Sequence, residues 1–414
     1  MMLWLTIACR NLFRNRRRSL FTILAIGIGF AGVTLFSGFV HYVFSSLREM
    51  QIYGRAGGHL TLLKKGWERA GATEAESNFS AEEMALIEKV AAQEEDVVAL
   101  SPTVIVSAMM SNGEASTLCY GFGISPATVA RIRAMARGLL GDFKYYEGQA
   151  LSEEMPYGIG VSRGLLRALD LKLGDTVVVA GPTADGQFNA VDCEVVQVFE
   201  TTGDPGDRSM LMPIEHARLL RNAPGAHHAG LLLRDEQGLP GVRERLQQRL
   251  TAAGCPVEIY TWEEMSEFYR RVRNMFRVIS NFNLIIVLVI AVMSVVNTIS
   301  MAVMERTREI GTLRALGLKP RGVRVLFSIE SGALALCGAG LGLVLMLAGW
   351  LAVKWAKPTW TPPQINIAVP LQVHLVPSYI LLCALGVLAL AVLAALLASR
   401  RAAAMEVVDA LGHT

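Results

Sequence analysis

Residues 305–317 read Glu-Arg-Thr-Arg-Glu-Ile-Gly-Thr-Leu-Arg-Ala-Leu-Gly, with charges at four of the first five positions and apolar residues at Ile310, Leu313 and Leu316. This spacing predicts an amphipathic helix. Gly317 is placed to stop it in the left-handed conformation, and Pro320 to start the next helix. The chemistry open to such a segment is recognition. Glu305, Arg306, Arg308, Glu309 and Arg314 offer charged contacts, and Leu313 and Leu316 offer an apolar ridge. Catalytic chemistry is harder to find. No Gly-x-x-x-x-Gly-Lys-[Ser/Thr] loop occurs, so the chain cannot cradle ATP phosphates by that route. His59, His216, His227 and His228 show no metal-ligand spacing, and His227-His228 sits in Ala-Pro-Gly-Ala-His-His, a loop composition. Glu200, Asp204 and Asp207 lack the spacing of a calcium loop and read as a solvated turn. No serine-hydrolase nucleophile is expected. The reading assigns no catalytic residue, no metal site and no bound cofactor.

The elements that must position the 305–317 helix follow from composition. The chain has 414 residues, 52% hydrophobic and 18% charged. A bilayer span needs about 20 mostly apolar residues, and residues 19–44, 278–304, 325–353 and 376–399 qualify. None has a charge near its middle; Glu330 lies near one end of the third. Arg10, Arg14, Arg16, Arg17 and Arg18 precede the first span, and Arg400 and Arg401 follow the fourth. Arg306, Arg308, Arg314, Lys319, Arg321 and Arg324 separate the second and third, whereas loop 354–375 has only Lys354 and Lys357. Basic residues collect on the cytoplasmic side, so a multi-pass protein with both termini inside is expected. The first span reads as a retained anchor rather than a cleaved signal peptide. Segment 46–275 then lies outside; it holds 31 acidic and 23 basic residues, a net of −8, which gives no nucleic-acid surface.

Residues 1–18 are expected to form an interfacial helix, with Trp4, Leu5, Ala8 and Leu12 on one face and Arg10 and Arg14 on the other. Beyond the first span, Val40, Val43, Phe44 and Leu47 continue a helical stripe. Before the second, Met265, Phe268, Tyr269, Val272, Met275 and Phe276 do the same, which predicts one helix over 263–304. Such a helix would be about 60 Å long, longer than a hydrocarbon core of about 30 Å. The surplus reads as a stalk or as a surface helix packed on the outer segment. Residues 45–277 form that segment: strands at 59–63, 97–109, 230–233 and 257–260, helices at 81–93 and 240–252, and a β-rich stretch over 115–215. Residues 66–80 read as a polar loop. Among six cysteines, Cys119, Cys193 and Cys255 lie in this segment; a Cys119–Cys193 bridge and buried free thiols both remain open.

Ala8-Cys9-Arg10-Asn11-Leu12-Phe13-Arg14-Asn15-Arg16-Arg17-Arg18 and the 305–317 run resemble the signatures of the FtsX/MacB/LolC–LolE superfamily of ABC-transporter permeases. Tyr120-Gly121-Phe122-Gly123-Ile124-Ser125-Pro126, Leu171-Lys172-Leu173-Gly174-Asp175 and the tail 400–411 are similar to local patterns there. In layout the chain is most like the LolC/LolE permeases, which have no fused ATPase. The tail lacks the family's usual proline near position 407. The resemblance implies a four-helix membrane protein of the bacterial inner membrane, with cytoplasmic loop 305–324 and tail 400–414. It also implies a large α+β periplasmic domain: a split α/β porter-like part with an inserted, mainly β subdomain.

By the same resemblance, the 305–317 helix docks on a separate ABC ATPase, present in two copies, which binds ATP and magnesium. A non-catalytic permease would extract or export a lipid-like or lipoprotein substrate. Two alternatives stay open: an FtsX-like mechanotransmission subunit that regulates a periplasmic hydrolase, and a MacB-type efflux subunit with a periplasmic adaptor. Gly338 and Gly342, four apart, and Gly27 and Gly29 are small residues that let helices approach closely. They serve packing within one subunit or a dimer with a second copy or paralogue. Membrane lipids and a substrate-accepting protein complete the expected partners.

Overall fold

The computed structural model describes residues 16–68, 77–136, 146–199, 207–360 and 368–404. Residues 1–15 of the expected interfacial helix and 405–414 of the tail lie outside those residues, and Arg16, Arg17 and Arg18 begin the first long helix. The chain forms two compact units: one from the described residues of 1–43, 272–358 and 370–414, the other from those of 44–271 and 359–369.

The first unit is helical. Helices α1 (Arg16–Glu49), α8 (Glu267–Glu305), α10 (Pro320–Ala356) and α11 (Pro377–Ala404) contain the four apolar stretches long enough to cross a membrane among the described residues. Their shared core is built from Ile26, Val295, Ile299, Phe327, Val387 and Ala395, with alanines between. A hydroxyl pair, Thr22–Thr298 at 2.7 Å, satisfies two buried polar groups at the α1–α8 contact. Ahead of α11, the His374 N–H donates to the Gly38 carbonyl at 3.1 Å, and Trp350 Nε1 to the Val373 carbonyl at 3.0 Å.

The second unit is α/β. A π-helical turn, Met50–Gly54, ends α1, and Arg55 N donates to the Met50 carbonyl five residues back. Then follow β1 (Leu60–Lys64), α2 (Ala81–Ala92), β2 (Val97–Ser111), β3 (Ser116–Ile124), α3 (Pro126–Arg133), β4 (Tyr146–Gly148) and β5 (Gly158–Ser162). The chain continues through α4 (Arg163–Ala168), β6 (Thr176–Pro182), β7 (Phe188–Phe199), β8 (Ser209–Pro213), α5 (Ile214–Arg221), β9 (His228–Leu233), α6 (Leu239–Ala252), β10 (Val257–Thr261) and α7 (Trp262–Met265). Strand order β10-β1-β9-β2 makes an antiparallel sheet. Helices α2 and α6 cover one face of it through Met84, Ile87, Val90, Val242, Leu246 and Leu250. Helix α2 starts in a capping box: Ser80 Oγ accepts from Glu83 N, and Glu83 Oε2 from Ser80 N.

The β-rich insertion closes on itself. β2 pairs with β3, β3 with β8, β8 with β5, β5 with β7, β7 with β6, and β6 again with the far end of β2. A six-stranded barrel results, and closure leaves these strands without open edges. Its interior holds Val106, Met110, Ile159, Val179, Val195 and Met212. Cys119 and Cys193 lie in this interior as buried free thiols, and Cys255 is a buried free thiol of the open sheet's core. Burial raises all three, Cys119 and Cys255 to about 11 and Cys193 to about 12, so they are inert at neutral pH.

The single helix expected over 263–304 is broken. Thr261 and Glu264 form a capping box that starts α7, and Ser266 at ψ 87° separates α7 from α8. Ser266 Oγ takes hydrogen bonds from Tyr269 N at 3.3 Å and Gln51 Nε2 at 2.6 Å, which fixes the break. Within this unit Tyr269 packs on Phe44 and Trp262, at ring separations of 5.6 and 4.7 Å. The stripe at the start of α8 is therefore partly engaged by α1, and Met265 and Phe268 stay exposed.

Candidate functional site

Helix α9 (Thr307–Ala315) lies between α8 and α10 and is set by three local devices. At its start, Arg306 leaves helical geometry (φ −113°, ψ 17°), and the Thr307 hydroxyl donates to the Val303 carbonyl at 2.9 Å. At its end, Gly317 has φ +100°. Gly317 N donates to Arg314 O and Leu318 N to Leu313 O, the paired bonds of a Schellman motif. Pro320 then opens α10 at its first position, where the missing N–H costs nothing.

The two faces of α9 differ. Thr307, Ile310 and Gly311 are buried, and Ile310 joins Val323 and Phe327 in the helical core. Arg308, Glu309, Leu313, Leu316 and Gly317 are exposed, Leu313 by 42% and Leu316 by 81%; Arg314 is half-buried. Charged residues and an apolar ridge thus share one open face. Two of the charged residues expected on it are placed elsewhere. Glu305 pairs with Arg18 of α1 at 2.7 Å. Arg306 is buried, with Nη1 3.6 Å from Glu330 Oε2 of α10, and both side chains are under 10% exposed. A buried pair of this kind locks the loop to its neighbouring helix rather than offering a contact.

The four glycines bring helices together inside the chain. A Cβ on Gly27 would approach the Gly338 carbonyl at 3.2 Å, and one on Gly338 the Ile26 side chain at 2.6 Å. One on Gly342 would meet the Gly27 carbonyl at 2.8 Å, and one on Gly29 the Val287 side chain at 2.7 Å. Gly27, Gly338 and Gly342 therefore serve the α1–α10 crossing, and Gly29 the contact with α8.

The histidines and acidic residues weighed in the sequence make structural contacts. No metal-competent cluster of His, Cys, Asp or Glu occurs among the described residues. His227 lies in the bend before β9, as its loop composition suggests, and is half-buried there: its Nδ1 accepts from Ile105 N at 3.0 Å, and burial pushes its pKa down to about 3. His228 opens β9, and burial lowers it to about 4. Asp207 is buried rather than solvated, accepting from Ser209 N at 3.1 Å and Tyr120 Oη at 3.2 Å; Glu200 and Asp204 lie outside the described residues. Gly160-Val161-Ser162-Arg163-Gly164 does match a Gly-x-Ser-x-Gly pattern, on a strand-to-helix turn, although no serine nucleophile was expected. Ser162 is fully buried, caps α4 by accepting from Leu165 N, and donates to the Asp207 carbonyl at 2.9 Å. Its φ of −69° is ordinary, so it is a helix cap rather than an exposed nucleophile.

A second feature was missed at the level of sequence. Ile105, Tyr120, Phe122 and Leu211 point away from the barrel interior and line a cavity. The signal is present in the strands: Val104-Ile105-Val106 is apolar on both faces, where alternation would put a polar residue outside.

Comparison with known proteins agrees with this architecture. The MacB-like periplasmic core domain matches residues 19–249, and the FtsX-like permease C-terminal domain matches residues 281–407. The chain is 23% identical over 352 residues to an uncharacterized ABC transporter permease of Methanocaldococcus jannaschii, covering 82% of each chain. It is 28% identical over 204 residues to the lipoprotein-releasing system transmembrane protein LolC of Neisseria meningitidis serogroup B, covering 45% of this chain and 46% of LolC. With LolE of Haemophilus influenzae it shares 23% over 281 residues, 63% of each. Among solved structures, the periplasmic region of MacB from Actinobacillus actinomycetemcomitans aligns at 13% identity and a TM-score of 0.38, over 52% of this chain and 93% of that one.

Proposed function

The chain belongs to the ABC-transporter permeases that carry a MacB-like periplasmic core domain and an FtsX-like C-terminal region, and from that premise we propose that it is the membrane subunit of an exporter powered by a separate ATPase. The observation that carries this reading is the open face of α9. Leu313 and Leu316 stand out of the fold beside Arg308 and Glu309, while Ile310 and the Arg306–Glu330 pair root the same helix in the bundle. A helix anchored on one face and open on the other can pass a push from a docked protein into α8 and α10.

In this reading both termini and α9 are cytoplasmic in a bacterial inner membrane, and the α/β unit is periplasmic. ATP and magnesium are bound by the partner, in two copies, against a pair of permease chains. ATP-driven closure of the partners moves α9, and α8 carries the movement toward the α/β unit. Such coupling works only if the ATPase contacts the two states of the permease differently. The cargo is a lipid-like or lipoprotein molecule taken from the outer face of the membrane, by analogy with the lipoprotein-releasing relatives.

The test is reconstitution of the chain with its ATPase in lipid vesicles that hold a fluorescent triacylated lipoprotein in the leaflet facing the α/β unit. ATP should release the lipoprotein, and a non-hydrolysable analogue should not. ATP-dependent activation of an added periplasmic hydrolase, with no release of lipid or lipoprotein, would replace export by the mechanotransmission reading.

A further inference from the structure

The α/β unit contains a cavity of about 760 Å³, within the size range of small-molecule sites. One wall is the outer face of the barrel. Met210 and Met212 of β8 belong to the barrel interior, so Ser209 and Leu211 point out of it. Strand pairing sets Ile105 of β2, Phe122 of β3, Leu211 of β8, Gly160 of β5 and Gln197 of β7 side by side in one row. Gly160 is the gap in that row. With no side chain of its own it leaves room for the Gln197 amide, whose Oε1 lies 3.3 Å from where a Gly160 Cβ would stand. The amide is thus held over β5, next to the strand that carries Ser209 and Leu211. The facing wall is the side of the open sheet that α2 and α6 leave uncovered, where Thr61 of β1 and Gly230 of β9 turn away from the helices.

Three polar side chains of this lining point to a ligand. Ser209, Gln197 and Thr61 are only 3–8% exposed. Ser209 Oγ makes no hydrogen bond, and neither the Gln197 amide nor the Thr61 hydroxyl makes one among the described residues. Buried polar groups are nearly always paired, and an unpaired one costs free energy that a ligand's hydrogen bonds would offset. Hydroxyls and a carboxamide both donate and accept, so all three suit an uncharged, oxygen-rich head group. The cavity makes no provision for charge. No Asp or Glu lines it among the described residues, and its two arginines are already engaged within the protein, Arg133 through Nε to the Gly54 carbonyl at 3.1 Å. His227 and His228 titrate at about 3 and 4 and are neutral at pH 7. An ionised ligand would lose its hydration here and gain no counter-charge. The remainder of the row is apolar: Ile105, Phe122 and Leu211 stand on adjacent strands, which at about 4.8 Å per strand gives roughly 10 Å of apolar track across the sheet.

We infer that this cavity binds a neutral single-chain lipid of the monoacylglycerol type, its glycerol and ester oxygens engaged by Gln197 and Ser209, with Thr61 across the cavity, and its acyl chain laid along Ile105, Phe122 and Leu211. The polar end of the row and its apolar track lie on neighbouring strands, so one short amphiphile spans both. The inference goes beyond the export reading, because it concerns a site within the α/β unit and binding there requires no ATPase.

The experiment is photo-crosslinking of the full-length chain in phosphatidylcholine nanodiscs, without ATPase, using a monoacylglycerol with a diazirine in its chain, followed by peptide mapping. Label is expected in the peptides holding Phe122 and Leu211. Excess unlabelled monopalmitoylglycerol should compete at least about tenfold better than hexadecyl sulfate or hexadecyltrimethylammonium, which carry fixed charges of either sign. Gln197→Leu keeps the bulk of the side chain and removes its unpaired amide. It should cut the label about tenfold while the melting temperature of the ligand-free chain stays level or rises, whereas loss of a structural hydrogen bond would lower it. Should that variant fail to insert, the competition on the wild-type chain decides. Label confined to the membrane helices, equal competition by a charged amphiphile, or full labelling of a folded Gln197→Leu overturns the proposal. Labelling as expected without ATP-driven release of lipoprotein would support the site and overturn only the export reading.

Discussion

Glu330→Gln should destabilise the helical unit more than its position near the end of a long helix suggests. Arg306 and Glu330 are both under 10% exposed and stand 3.6 Å apart. At an effective dielectric constant of about 20, two unit charges at that distance attract by about 4–5 kcal/mol. Desolvation of both ions offsets most of this, so the intact pair adds little net stability. Removing Glu330 differs, because Arg306 stays buried without its counter-charge, at a cost of about 3–5 kcal/mol. An arginine cannot shed its charge inside a protein, whereas a carboxyl can. Glu330→Gln, which strands Arg306, should therefore be harsher than Arg306→Gln. Replacing both by methionine should return stability to within about 1 kcal/mol of wild type. The assay is thermal unfolding of wild type, the two glutamine variants and the double methionine variant in one detergent. A drop of about 5–15 °C is expected for Glu330→Gln, with recovery in the double variant. Additive losses, or a neutral Glu330→Gln, would refute the argument that the pair is coupled and buried.

Two further outcomes follow from the same structure. With the α/β unit outside, Asp235→Cys should react with a membrane-impermeant maleimide in intact cells and Lys319→Cys only after permeabilisation; labelling of position 319 in intact cells would reverse the topology. His227 and His228 sit in the fold at about 3 and 4, below an unfolded value of 6.5. The unfolded chain therefore binds the extra protons as pH falls, so the stability they contribute is present above pH 6.5 and is lost toward the folded values. By pH 5 the loss should be about 2 kcal/mol for each histidine, seen as a falling melting temperature. His227→Gln should flatten that dependence; an unchanged slope would mean that His227 is not the group titrating.

Much of the fold was legible because its elements are strongly periodic. Four apolar runs appear as long helices, and the strands and helices of the open sheet lie close to where alternation and helical spacing put them. Barrel closure was not legible. It depends on the β2–β6 and β3–β8 pairings, which join residues far apart in sequence, and local pattern carries no record of partner choice. The failures at single residues have a common cause. Asp207 and His227 lie among Gly and Pro and read as turns, but tertiary packing buries Asp207 and half-buries His227, and backbone N–H groups supply hydrogen bonds to both. Arg306 looked like one more charge on an amphipathic face. Its pairing with Glu330, two dozen residues later, could not be inferred from helical spacing. The Gly-x-Ser-x-Gly match shows the opposite error: Gly164 is glycine because a Cβ there would collide with the Asp207 carbonyl, not because a nucleophile needs room.

The most direct test of the account is capture of the ATPase by the exposed face of α9. Glu309, Leu313 and Leu316 follow one another at steps of four and three, so they share a helix face, and each is exposed. Leu313→Asp should leave expression, insertion and melting temperature unchanged, since Leu313 is 42% exposed in the chain; Glu309→Lys with Arg314→Glu is compared with wild type at equal inserted permease. An unpaired charge buried at the interface costs on the order of 1–3 kcal/mol, about tenfold or more in affinity. The measurement is the amount of ATPase that co-purifies with each variant, relative to wild type, from membranes containing equal permease. The account predicts loss of about nine-tenths of the ATPase from folded, inserted variants. Full retention of the ATPase by both variants would contradict the claim that α9 is where the energy enters.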